Sequence, residues 1–253
     1  MRTFQLKNGD RIPVIGFGTF GSDHYSHEQV AQAVREALRA GYRLIDCAEV
    51  YGNEDRIGEV LSEGIMARDE LFITSKVWND HHDAGEPTAA LLRTLKNLRL
   101  DWLDAYFVHW PFPNYHAPGC DGDSRNPDSR PFSADEFMGV WRELEALHEQ
   151  KLVRHLGMSN MTVTKLEAVL PLCKIAPSLI EMELHPSFQQ KELFDYCRSK
   201  GIQVIGFCPI GSPNRPERDK APGDVVDTEL PEVREVAEAR GIHPALVCLK
   251  WAV

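Results

Sequence analysis

A repeated alternation of short apolar runs and helical patterns constrains this chain more than any other feature. Runs rich in Ile, Val, Leu and Phe occur at Val14–Thr19, Arg43–Ala48, Leu71–Val77, Leu103–Trp110, Val153–Ser159, Leu179–Leu184 and Gln203–Ile210. Each reads as a strand buried on both faces. Between and after them lie helical patterns at His27–Ala40, Glu54–Gly64, Thr88–Leu98, Ala134–Gln150, Thr164–Leu172, Lys191–Lys200 and Glu232–Ala239. Gly41, Gly201 and Gly241 supply helix stops, and Ser133 with Glu136 has the spacing of a capping box. Strand starts recur roughly every 25–45 residues, the rhythm of βα units. Ahead of them, Asn8-Gly9 between Phe4-Gln5-Leu6 and Arg11-Ile12-Pro13 predicts a hairpin, because both turn residues tolerate positive φ.

Seven βα units in one buried parallel sheet predict an α/β chain of the (β/α)8 TIM-barrel type rather than an open doubly wound sheet. Gly16-Phe17-Gly18-Thr19-Phe20-Gly21 follows the first strand and is by itself a weak match to a dinucleotide fingerprint. No linker or composition shift divides the chain, so residues 1–253 read as one barrel domain. The sequence stops at Trp251-Ala252-Val253, inside an apolar helical pattern and with no eighth strand. A closed barrel needs one, so the expectation is a C-terminally incomplete barrel.

Composition narrows the partners. A net charge of −10 disfavours a protein that tracks nucleic-acid phosphates or docks on anionic membranes. No apolar run has the length of a signal peptide core or a transmembrane span. Six scattered cysteines without a Cys-x-x-Cys fit reduced thiols and a cytoplasmic protein. His24 and His81-His82 match no usual metal-ligand spacing. Gly16-Phe17-Gly18 stands where a metal-dependent hydrolase barrel carries His-x-His, so no metal is expected.

Catalytic groups of such barrels sit at the C-terminal ends of strands. Those ends carry Asp46, Lys76 and His109, and Tyr51 follows Asp46 in a short loop. A carboxylate, a lysine, a tyrosine and a histidine at one mouth suit proton transfer. The phenol donates a proton to a carbonyl oxygen, the ammonium lowers its pKa, the carboxylate holds the ammonium, and the imidazole orients the carbonyl. A structural Asp–Lys pair with an idle tyrosine satisfies the same spacing.

The motifs themselves are more specific. Ile45-Asp46-Cys47-Ala48-Glu49-Val50-Tyr51-Gly52-Asn53-Glu54, Thr74-Ser75-Lys76-Val77-Trp78, Val108-His109-Trp110-Pro111, Leu156-Gly157-Met158-Ser159-Asn160, Glu183-Leu184-His185-Pro186 and Pro209-Ile210-Gly211-Ser212-Pro213 occur in that order. Together they resemble the aldo-keto reductase superfamily, closest in pattern to the aldose and xylose reductases. The resemblance implies reduction of sugar or small aldehyde and ketone carbonyls with NADPH, or NADH, by a monomer or weak dimer. It makes Asp46, Tyr51, Lys76 and His109 a catalytic tetrad with Tyr51 as general acid.

The resemblance also places the coenzyme on Gly18, Thr19, Ser159, Asn160, Glu181, Phe207, Cys208, Gly211 and Ser212. Three of these depart from its pattern: Glu181 stands for a glutamine, Phe207 for a stacking tyrosine and Cys208 for a serine. Asn214 stands for the aspartate of the loop that folds over the pyrophosphate, and Gly21 for its lysine partner. The basic segment that grips the adenosine lies beyond Val253. Phe20, Val50, Trp78 and Trp110 line the implied substrate pocket, with Glu217 at its rim and the stretch His116–Arg130 as a loop over the mouth. The charged stretch from Arg215 to Lys220 reads as solvated loop, and His185-Pro186 as structural. Two other readings stay open: a non-catalytic coenzyme-binding barrel, and a lyase forming a Schiff base on Lys76.

Overall fold

The structure is a computed structural model and describes residues 2–21, 24–113, 130–213, 215–216 and 223–253. A hairpin of β1 (Thr3–Gln5) and β2 (Arg11–Pro13) opens the chain, with Phe4 opposite Ile12. Seven parallel strands follow: β3 (Gly16–Gly18), β4 (Leu44–Asp46), β5 (Phe72–Val77), β6 (Leu103–Val108), β7 (Val153–Ser159), β8 (Leu179–Glu183) and β9 (Gln203–Phe207). They pair strictly in sequence order, as consecutive right-handed crossovers dictate for a TIM-type barrel. Among the described residues β3 and β9 are the two ends of this sheet.

The helices are α1 (His27–Ala40), α2 (Glu54–Leu61), α3 (Glu86–Leu98), α4 (Ala134–Glu149), α5 (Val163–Val169), α6 (Lys191–Lys200), α7 (Pro231–Arg240) and α8 (Pro244–Ala252). Ser26 and Gln29 close a reciprocal capping box on α1. On α4, Ser133 accepts the Glu136 N–H, while the Glu136 carboxylate turns to Arg130 at 3.1 Å, so half of the expected box is diverted. α3 begins two residues before the predicted Thr88, because Pro87 fits the first helical turn, where its missing N–H is no loss. The apolar stretch at the chain end forms α8.

The strands have two buried faces, hence their unbroken apolar runs. One face meets the helices through Ile45, Ile73, Tyr106, Met158 and Ile180. The other packs the barrel axis with Leu44, Phe72, Ala105, Phe107 and Leu179, and the hairpin plugs that axis from below with Leu6 and Ile12. A side chain at Gly157 would meet the Phe107 ring at 2.2 Å, so glycine there makes room for the aromatic plug. Pairing stops before the predicted strand ends, at Val108 on β6 and Phe207 on β9. His109 and Cys208 therefore lie just past the strands at the C-terminal rim, the His109 N–H still donating to the Val77 carbonyl at 3.2 Å.

Candidate active site

Side chains alternate along a strand, so residues two apart share a face. The axial face of β4 carries Leu44 then Asp46, and that of β5 carries Phe72, Thr74 and Lys76. β6 contributes Phe107 and, one step past it, His109; β7 contributes Ser159 and β8 Glu181. The apolar plug thus gives way to polar groups at the C-terminal end of the barrel. Local sequence parity puts them there.

Lys76 is the hub. It is 2% exposed, and its Nζ donates to both Asp46 oxygens at 2.6 and 2.7 Å and to the Cys47 carbonyl at 2.9 Å. Glu181 Oε2 lies 3.3 Å from the same nitrogen. Burial works against the lysine's charge, but Asp46 and then Glu181 outweigh it and hold Lys76 well above its ordinary range. Thr74 Oγ1 donates to Asp46 Oδ1 at 2.6 Å. Thr19 donates to the Asp46 carbonyl through both its N–H (3.0 Å) and its hydroxyl (2.9 Å).

Tyr51 sits in the single turn Glu49–Tyr51 that follows β4, with Lys76 Nζ 5.6 Å from its ring centre. The His109 ring stands edge-on to it at 6.0 Å, and the Phe20 ring tilts against it at 5.2 Å. Trp78 packs edge-on to His109 at 5.0 Å. The four implied catalytic residues therefore meet at one mouth. The expected lowering of the phenol's pKa does not prevail: desolvation raises Tyr51 above its ordinary range, with Lys76 pulling the other way. Tyr51 is a protonated phenol at neutral pH, the form that donates. Burial, then the nearby Lys76 charge, hold His109 well below the usual histidine range. It is a neutral imidazole, with Nδ1 buried and without a hydrogen-bond partner.

Ser159, Asn160 and Glu181 line the adjoining rim. Asn160 adopts φ 57°, and its Nδ2 donates to the His109 carbonyl at 2.9 Å and to Ser159 Oγ at 3.2 Å. Glu181 is 2% exposed and its Oε1 has no hydrogen-bond partner. Phe207 and Cys208 are half-buried at the end of β9, the Cys208 thiol bonded with Ser212. Gly211 is buried with φ 73°, and a side chain there would meet Asp227 Oδ2 at 2.3 Å. Only glycine fits that approach. Gly18 lies exposed at the end of β3. Phe20 is exposed and Val50 and Trp110 are half-buried, Trp110 facing Phe112 with 5.8 Å between ring centres.

Thr19 commits its hydroxyl to the Asp46 backbone carbonyl and so braces the end of β4. One expectation needs correction. Arg215 is not simply solvated: it pairs with Glu183 at the end of β8 and ties its loop to the barrel. His185 approaches the fully buried Asp227 at 2.5 Å, and Asp227 also accepts from Ser187. Asn214, Glu217 and nearly all of the His116–Arg130 stretch lie outside the described residues. Sequence reasoning missed the supports Thr74, Thr19 and Asn53, whose Nδ2 holds the Thr19 carbonyl at 2.8 Å. Strand parity marked Thr74; the other two needed the fold.

A TIM-type barrel with a buried lysine–carboxylate clamp beside a phenol and a neutral imidazole carries groups able to move a proton. The comparisons say of which kind this barrel is: the chain belongs to the aldo/keto reductase family, whose model matches residues 14–253. It is accordingly an NAD(P)H-dependent oxidoreductase. It is 38% identical over 258 residues to aldo-keto reductase family 1 member A1 of Sus scrofa, covering 98% of this chain and 76% of that protein. An aldo/keto reductase of Synechocystis sp. is 37% identical over 257 residues, covering 100% and 77%. The solved aldose reductase of Schistosoma japonicum superposes with a TM-score of 0.83 at 33% identity, over 99% of this chain and 79% of that one. Among the described residues no helix is long and apolar enough to cross a membrane.

Proposed function

We propose that this protein reduces the carbonyl of a sugar or small aldehyde or ketone to the alcohol, with NADPH, or NADH, as the hydride source and Tyr51 as the proton source. The observation that carries this reading is the convergence of Lys76, its carboxylate clamp, a protonated Tyr51 and a neutral His109 on one mouth. Reduced nicotinamide, when bound, supplies hydride. The rim fits such a ring: Ser159 and Glu181 are buried polar groups, Glu181 Oε1 is left without a partner, and Phe207 offers an aromatic face.

The chain's own residues account for the proton. Tyr51 presents its hydroxyl proton to the carbonyl oxygen. His109, neutral, steers that oxygen by donating a hydrogen bond while remaining uncharged. As the phenolate develops, the Lys76 ammonium stabilises it, and Asp46 keeps the ammonium charged and fixed. Phe20, Val50, Trp78 and Trp110 exclude water from the reacting carbonyl. Gly18, Asn160, Cys208, Gly211 and Ser212 complete the coenzyme's bed, with Thr19 beside them bracing the end of β4.

Tyr51→Phe tests this directly. Carbonyl reduction should fall about 10²–10⁴-fold while quenching of NADPH fluorescence on binding is kept. Retention of more than about one-hundredth of the activity overturns the role given to Tyr51.

A further inference from the structure

Three ionisable groups share the barrel axis where a single ion pair would balance. An ammonium has three N–H donors. Those of Lys76 are taken by Asp46 and the Cys47 carbonyl, with Glu181 Oε2 at the longer distance of 3.3 Å. With every group ionised the cluster carries a net negative charge in a nearly water-free place. An uncompensated buried charge costs several kcal/mol, and a carboxyl escapes that cost by keeping its proton. The two carboxyls are not equivalent. The Asp46 side chain is 20% exposed, fixed by both its oxygens on Lys76 and supported by Thr74, whereas the Glu181 side chain is 3% exposed with one oxygen unpartnered. The proton belongs on Glu181.

The groups around Glu181 agree. Asp46 faces it from β4, Lys76 from β5, and Tyr51 from the turn after β4. On the flanking strands its register partners are Ser159 on β7 and the apolar Ile205 on β9. Burial and then Asp46 push the Glu181 carboxyl up to about 8, against the pull of Lys76.

A protonated carboxyl has one O–H donor and a carbonyl acceptor, whereas a carboxylate only accepts. Below its titration Glu181 therefore presents both roles, as an amide side chain does. Above it, Glu181 adds a negative charge beside the rim. We propose that Glu181 is a positioning residue that stores the cluster's proton, and that loss of this proton tilts the site from reduced towards oxidised nicotinamide. The nicotinamide half of the inference rests on the coenzyme reading above, since only the oxidised ring is cationic.

Two measurements on the full chain test it. Carbon-13 NMR of glutamate-labelled protein should show two late side-chain carboxyls, that of Glu54 near pH 7 and a second near pH 8. The second should be absent in Glu181→Gln and moved to lower pH in Asp46→Asn, where the competing negative charge is gone. Fluorescence titration with NADPH and calorimetry with NADP+ should show the preference for the oxidised form rising about tenfold between pH 6.5 and 9.5, the equivalent of one pKa unit. The preference should be flat in Glu181→Gln. If no carboxyl besides that of Glu54 titrates late, or if Asp46→Asn leaves the second one unmoved, the inference falls while the coenzyme reading stands. The inference also falls if the ratio changes equally in wild type and Glu181→Gln. If the late carboxyl is present but neither coenzyme binds the wild type, the coenzyme reading falls and takes the tilt with it.

Discussion

The two ends of the barrel solve the problem of buried charge in opposite ways. At the N-terminal end Asp104 is buried at the start of β6, but Arg68 reaches it at 2.8 Å, the Ile73 N–H donates to it at 2.8 Å, and Arg154 stands at 3.7 Å. Both guanidinium groups lie 3.5 Å from the Trp102 ring centre, an aromatic held between two cations. Beside them His155 pairs with Asp10 at 3.0 Å and stacks on Phe72. A cavity of about 240 Å³ there is lined by residues of both signs, Arg11, Arg43 and Arg154 with Asp10, Asp69 and Glu70. At the C-terminal end two carboxyls share one lysine, and Glu181 Oε1 and His109 Nδ1 have no protein partner. The lower end pairs its buried carboxylate with two guanidinium groups, leaving one nitrogen, Arg68 Nε, without a partner. The upper end leaves hydrogen-bonding capacity unspent, which is what a site for a transient ligand requires.

The contrast breaks most visibly at Lys76. Lys76→Met should lower kcat/KM by at least about 100-fold while NADPH binding is kept, because the charge that stabilises the developing Tyr51 phenolate is removed. Activity kept within about tenfold would make Lys76 a structural residue. Asp104→Ala should do the reverse: a loss of about 3 kcal/mol in chemical denaturation, from stranding Arg68 and the Ile73 N–H, with kcat/KM per folded molecule unchanged. A large loss of activity at constant fold would erase the distinction between the ends.

Glu54 sharpens the comparison, since it is buried just behind the mouth. Ser75 and Thr94 donate to it at 2.6 and 3.1 Å, yet burial raises its carboxyl from 4.5 to about 7. The folded state thus holds this proton more tightly than the unfolded chain. Its stabilising contribution is complete below about pH 4.5 and is lost as pH rises through about 7. Denaturation of the wild type from pH 5 to 8 should show a fall about 3 kcal/mol steeper than in Glu54→Gln, and parallel curves would show that Glu54 ionises freely. The smallest effect belongs to Arg154→Met. Its guanidinium is about half exposed and stacks on one face of Trp102, so its removal should cost no more than about 1 kcal/mol and leave turnover untouched.

Much of this was legible in the chain. The alternation of apolar runs with amphipathic helices fixed the barrel class, because strands covered on both faces and joined by helices have few other arrangements. The hairpin around Asn8-Gly9 and the Ser133 cap of α4 are local chemistry. So was the meeting of Asp46, Lys76 and His109, since each lies at a strand end and barrel strands point their ends at one mouth. Thr19 and Asn53 were not legible as supports, because they act across 27 and 34 residues of sequence. Nor was the tie of Arg215 to Glu183, or the end of β6 at Val108.

By itself, then, the sequence determined which groups the barrel carries and, through the two-residue alternation of strands, which face each occupies. It could not determine their protonation. The same Tyr51, His109 and Glu181 in water would titrate ordinarily; here each lies in a nearly water-free mouth, where burial is the largest influence on all three. Desolvation depends on how completely distant segments close over a group, and the balance among Asp46, Lys76 and Glu181 depends on separations near 3 Å between strands far apart in the chain. Those distances exist only in the folded barrel, and they decide which groups hold the protons.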